Sequence, residues 1–252
     1  MIMDLLVEKL LGFALVLTRL SAFFLILPVF GWKAIPVRVR VSLTVLLAVF
    51  FAAVRPFSAG TEQITSLQAG LMIMAESVYG LALGLSAALL FAVVQFAGRI
   101  IERQMGMAMA EVLDPMTGDR SQPLGSLLEM IFILLFLAAN GHHLFLMIIS
   151  RSYEIFPVGT IPSLQILTEG VIEAGSTMFT AALRLAAPIL AAFLVLLVVL
   201  AVLARVVPEM NILFISFPLR IGLGLMMTAM FIPFVNSYIT ELAQWMGRIL
   251  PV

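Results

Sequence analysis

Few residues in this 252-residue chain could do chemistry, and those few are poorly arranged for it. The only two histidines, His142 and His143, are adjacent. Neighbours on a helix point about 100° apart, so the imidazoles do not converge on one ligand, and no carboxylate or cysteine joins them at i+4. The chain has no cysteine, which removes disulfides, thiolate metal centres and a thiol nucleophile. No G-x-S-x-G, H-E-x-x-H or P-loop pattern is present. Glu76 stands at the edge of an apolar segment, whereas an ion-coupled carrier places Asp or Glu near the membrane midplane. The expectation is a chain that is not an enzyme, with no metal and no cofactor.

Three other features stand out. Arg19 lies inside an apolar segment, where an ionised group is costly. Either it pairs with a carboxylate of a neighbouring helix, or the segment does not sit in lipid at that depth. Gly80 and Gly84 form G-x-x-x-G, and Ala88 extends the small-residue row into a helix-packing face. The stretch Gln104-Met105-Gly106-Met107-Ala108-Met109-Ala110-Glu111-Val112-Leu113-Asp114-Pro115 alternates methionines between residues that interrupt helix. Such a loop either tucks its methionines into a core or forms an adaptable seal, because Met is unbranched and repacks readily.

The elements that must position these residues follow from composition. Hydrophobic residues make up 63% of the chain and charged ones 11%, against about 45–50% and about 25% in soluble domains. Lys+Arg and Asp+Glu balance at 14 each, which leaves no electrostatic footprint for nucleic acid. The fitting solvent is lipid or the interior of an apolar assembly. Runs such as Leu194 to Leu200 do not alternate with period 2, which argues against a β-barrel. The fold class is an all-α integral membrane protein with about six hydrophobic helical segments. These are Leu10–Trp32, Val41–Val54, Ser77–Gly98, Met130–Ser150, Leu185–Ala204 and Ile221–Thr240. The second, at 14 residues, is about 21 Å long as a helix and too short for a ~30 Å hydrocarbon core. Asp4 and Glu8 stand where a signal peptide would be basic, so the first segment is expected to be retained. Loops after the first, third and fifth segments hold eight of the 14 basic residues, which favours a cytoplasmic location for them.

Five groups of residues in order resemble the FliR family of flagellar type III export-gate proteins. They are Pro28-Val29-Phe30 with Ala34-Ile35-Pro36-Val37-Arg38-Val39-Arg40; Gln104-Met105-Gly106 with Asp114-Pro115; Asn140-Gly141-His142; Phe156-Pro157-Val158-Gly159; and Pro208-Glu209-Met210-Asn211-Ile212 with Phe217-Pro218-Leu219-Arg220. The homologous gate subunit of virulence type III secretion systems is the alternative. The resemblance implies a structural and gating subunit of a channel that passes unfolded flagellar subunits across the bacterial inner membrane at the flagellar basal body. It implies FliP, FliQ and FlhB homologues as partners, together with unfolded export substrates and membrane lipid. It also implies a FliP-like part over residues 1–173 and a FliQ-like helical hairpin over 174–252. The plug of the closed pore would lie in a loop of about residues 99–129. Its residues would be Gln104, Met105, Gly106, Met107, Met109, Val112, Leu113, Asp114 and Pro115. Pro208, Asn211, Pro218 and Arg220 would shape the hairpin loop, and Pro188 would open the first hairpin helix.

Overall fold

A computed structural model describes residues 2–28, 36–54, 65–107, 123–161, 163–209 and 211–249. Among these, all regular structure is helical: α1 (Ile2–Ile26), α2 (Val37–Val54), α3 (Ser66–Met105), α4 (Pro123–Ala138), α5 (His142–Ile155), α6 (Leu164–Val206) and α7 (Ile212–Ile249). Four of them are long and apolar enough to cross a membrane, or five if α4 and α5 count as one bent span. The all-α membrane class expected from composition is the one observed.

Helix boundaries follow local chemistry. Thr65 and Gln68 open α3 with a reciprocal capping pair: the Thr65 N–H donates to Gln68 Oε1 at 2.9 Å, and the Gln68 N–H donates to Thr65 Oγ1 at 3.4 Å. Gly106, at φ +80°, ends the same helix in the left-handed region that glycine adopts without strain. The single segment expected over Met130–Ser150 is instead two helices bent by 74°. The break falls at Asn140, whose φ of +59° no helix interior accepts, followed by Gly141. The short second segment is also longer than its apolar run. Its helix begins at Val37 and takes in Arg38 and Arg40, giving 18 residues, or about 27 Å. Pro188 does not open a helix; it lies inside the 43-residue α6. There it removes the hydrogen bond that the Arg184 carbonyl would otherwise accept.

At 40, 43 and 38 residues, α3, α6 and α7 are each about 57–65 Å long, roughly twice the hydrocarbon thickness. Standing along the bilayer normal, α3 and α6, two of the four candidate spans, would extend beyond the lipid. The chain divides into two compact units. The first holds α1, α2, α5, the N-terminal parts of α3 and α6 and the C-terminal end of α7; α1 packs on α2, Phe23 meets Phe145 edge to face, and Phe51 meets Tyr153 at a tilt. Gly80 lets α3 approach α1 so closely that a Cβ would overlap the Arg19 carbonyl oxygen, and one on Gly84 would lie 2.8 Å from the Phe23 carbonyl oxygen. Ala88 is half-buried. The second unit holds α4, the C-terminal part of α3 from Phe91, the C-terminal part of α6 from Thr177 and α7 as far as Glu241. Its core centres on Phe91, Phe132 and Phe136, with Tyr238 against Phe132. A cut near Glu173 falls inside the continuous α6.

Candidate functional site

In the second unit, α3 and α4 run antiparallel on either side of residues 108–122. Three contacts step along the pair. Gln95 Nε2 donates to Glu129 Oε2 at 2.8 Å. Gly98 meets Gly125, where a Cβ on Gly98 would lie 2.7 Å from the Gly125 Cα. Nearest the loop, the Leu124 N–H donates to the carboxylate of Glu102. Residues 95, 98 and 102 recur at three- and four-residue spacing, one face of a helix. Pro123 occupies the first position of α4, where its missing N–H is harmless.

Four of the nine expected plug residues lie among the described ones. Gln104 is exposed on the last turn of α3. Met105 is 1% exposed, and its Cγ and Sδ fill the space over Gly224 of α7 where a Cβ would stand. Gly106 lies beneath the Phe217 ring, 3.4 Å from where its Cβ would be. Met107 is half-buried. Met105 and Gly106 therefore anchor the end of α3 to α7. Met109, Val112, Leu113, Asp114 and Pro115 lie outside the described residues.

The connection from α6 to α7 is shorter than the apolar windows suggest, because α7 begins at Ile212. Pro208 and Asn211 lie in it, both exposed, and the Asn211 carbonyl accepts the Phe214 N–H at 3.1 Å. Pro218 and Arg220 fall inside α7.

The first unit holds a buried polar cluster. The Arg19 guanidinium donates to both Glu76 oxygens, from Nε at 2.5 Å and from Nη2 at 3.0 Å. It also donates to the carbonyls of Ser152 and Phe156 at 3.1–3.2 Å. The Gly159 N–H donates to Glu76 Oε1 at 2.8 Å. The Tyr79 and Tyr153 rings lie 4.6 and 4.3 Å from the Arg19 Cζ, so a cation–π contact from each adds to the ion pair. Of the two explanations for Arg19, the carboxylate partner is the one present. Arg19 needs no other chain to satisfy it.

Sequence reasoning singled out Arg19, Gly80 and Gly84 but not Glu102, Gly98, Gly125 or Gly224. The available signal for the glycines was their place in helical runs, where glycine is unfavourable unless backbones approach closely. The His142 and His143 rings meet edge to face, with centroids 4.4 Å apart. Among the described residues, no group of three His, Cys, Asp or Glu could hold a metal ion.

Residues 10–246 match the family described as "Bacterial export proteins, family 1". The flagellar biosynthetic protein FliR of Bacillus subtilis (strain 168) is 33% identical over 221 residues, covering 86% of this chain and 84% of that protein. FliR of Pectobacterium carotovorum subsp. carotovorum is 31% identical over 224 residues, covering 89% and 85%. The Yop proteins translocation protein T of Yersinia pestis is 28% identical over 228 residues, covering 87% and 85%. With a family match over nearly the whole chain and FliR proteins above 30% identity, the chain belongs to the FliR family of bacterial export proteins.

Proposed function

We propose that this chain is a structural and gating subunit of the flagellar type III protein export channel, a multi-pass protein of the flagellar basal body in the bacterial inner membrane. The observation that carries this is the similarity to FliR proteins of two bacteria over more than four-fifths of each chain. The Yersinia relative supports a homologous subunit of a virulence secretion system as the second reading, at lower identity.

The chain acts without covalent chemistry. Its apolar helices pack against FliP, FliQ and FlhB homologues and lipid. The exposed row Leu194, Val195, Val198, Val199 and Val202 on α6 is too apolar to face water and suits such a cover. Unfolded flagellar subunits pass through the pore. In their absence, the segment from Met107 to Pro115 closes it, since apolar constrictions exclude water and ions by dewetting. Met105 and Gly106, held on Gly224 and Phe217, fix where that segment begins. Met109 supplies adaptable bulk and Val112 compact aliphatic bulk.

Co-expression with tagged FliP and FliQ homologues of the same organism tests the proposal. Stoichiometric co-purification in mild detergent is the expected result. A stable, monodisperse monomer that ignores both would contradict it.

A further inference from the structure

Glu102 bonds to the chain on both sides of the connection between α3 and α4. This residue lies one turn before the end of α3 and is 6% exposed. Its main-chain carbonyl accepts the Met107 N–H at 3.4 Å, just before residues 108–122. Its carboxylate accepts the Leu124 N–H, just after them. The Leu124 N–H is one of the first four of α4, which have no partner within the helix. A carboxylate there satisfies that donor and suits the positive end of the helix dipole.

We propose that Glu102 is a positioning residue that clasps the two ends of this connection together; this rests on reading the connection as the channel's plug. The other contacts of the helix pair explain why the clasp acts locally. Gln95–Glu129 and Gly98–Gly125 hold α3 to α4 deeper in the unit, and Met105 holds the end of α3 to α7. Removing the Glu102 carboxylate leaves all of these in place. It frees only the start of α4, and with it the point at which the plug returns.

The chain has no native cysteine, so spin labels can be placed at Gln104→Cys and Ser126→Cys, both exposed positions beside the clasp. Distances between the labels are read by electron paramagnetic resonance in the assembled complex, and ion leak is read in cells carrying it. In Glu102→Ala, the distance distribution should broaden and the leak should rise about tenfold, the population change that follows loss of one buried hydrogen bond. Glu102→Gln keeps an oxygen that accepts the same N–H. It should hold the narrow distribution and a leak within about twofold of the wild type. Should Glu102→Ala fail to assemble, Glu102→Asp keeps the charge but shortens the reach, and should broaden the distribution in its place.

A distribution that stays narrow without the Glu102 side chain overturns the clasp. A broadened distribution with an unchanged leak, in a complex where deleting residues 107–113 does leak, overturns its positioning role. A deletion variant that is itself tight overturns the plug reading, and the distance measurement alone then decides the clasp.

Discussion

Arg19 of α1 and Glu76 of α3, 57 residues apart in sequence, form a two-point ion pair with side chains only 3% and 0% exposed. The pair is the hub of a larger arrangement. Arg19 holds the last carbonyls around α5, and Glu76 holds the Gly159 N–H of the turn that follows. The Phe156-Pro157-Val158-Gly159 motif is thereby fixed to two helices that are distant from it in sequence.

Removing one member leaves a buried charge without its partner, which costs about 3–5 kcal/mol. Arg19→Met and Glu76→Leu should each lower the amount of assembled complex and its thermal midpoint sharply. The double variant Arg19→Met/Glu76→Leu should recover part of the loss but not all. It still strands the Phe156 carbonyl and the Gly159 N–H, at about 1–3 kcal/mol for each unsatisfied group. Full recovery in the double variant would mean that the pair does not organise the turn.

Glycines of one helix should respond differently to the same change. A Cβ at Gly80 meets backbone of α1, which cannot swing aside, whereas nothing lies within 4 Å of one at Gly70. Gly80→Ala should destabilise the complex by about 1–3 kcal/mol, as overpacking does. Gly70→Ala should be neutral or stabilising, by up to about 1 kcal/mol. Thermal unfolding of the two purified complexes, side by side, checks the ordering.

The exposed apolar row of α6 carries a third expectation. Val198 is 56% exposed in this chain alone. If lipid or a neighbouring subunit covers it, Val198→Asp should cost roughly 2.5–3.5 kcal/mol at a helix centre and deplete the assembled complex in membrane fractions. Normal assembly of Val198→Asp would show that this face is wet.

The all-α membrane class and the positions of most segments were legible because long charge-free runs admit few alternatives. What lay between the runs was harder to read. The window Met130–Ser150 hides a break because Asn140 and Gly141 carry no charge, although that dipeptide is a turn signal in its own right. The start of α2 was missed because Arg38 and Arg40 ended the apolar count without ending the helix. Arg19 was recognisable as an anomaly, and Glu76 as a carboxylate at a segment edge. That they pair is a tertiary fact that a single sequence does not encode at 57 residues' separation. The same holds for Glu102, which reads in sequence as one more charge on the polar end of α3. Its importance comes from the close approach of Gly98 to Gly125.

The central claim is that the segment beginning at Met107 seals a protein-conducting channel, and ion conductance of a deletion variant tests it most directly. Deleting Met107 to Leu113 removes no residue of α3 or α4, so the complex with FliP and FliQ homologues should still assemble and purify intact. In cells carrying that complex, the account predicts conductance well above wild type and growth inhibition in high salt. Single changes such as Met109→Ala should leak less than the deletion, because neighbouring methionines repack into the gap. An assembled deletion complex as tight to small ions as the wild type would contradict the claim.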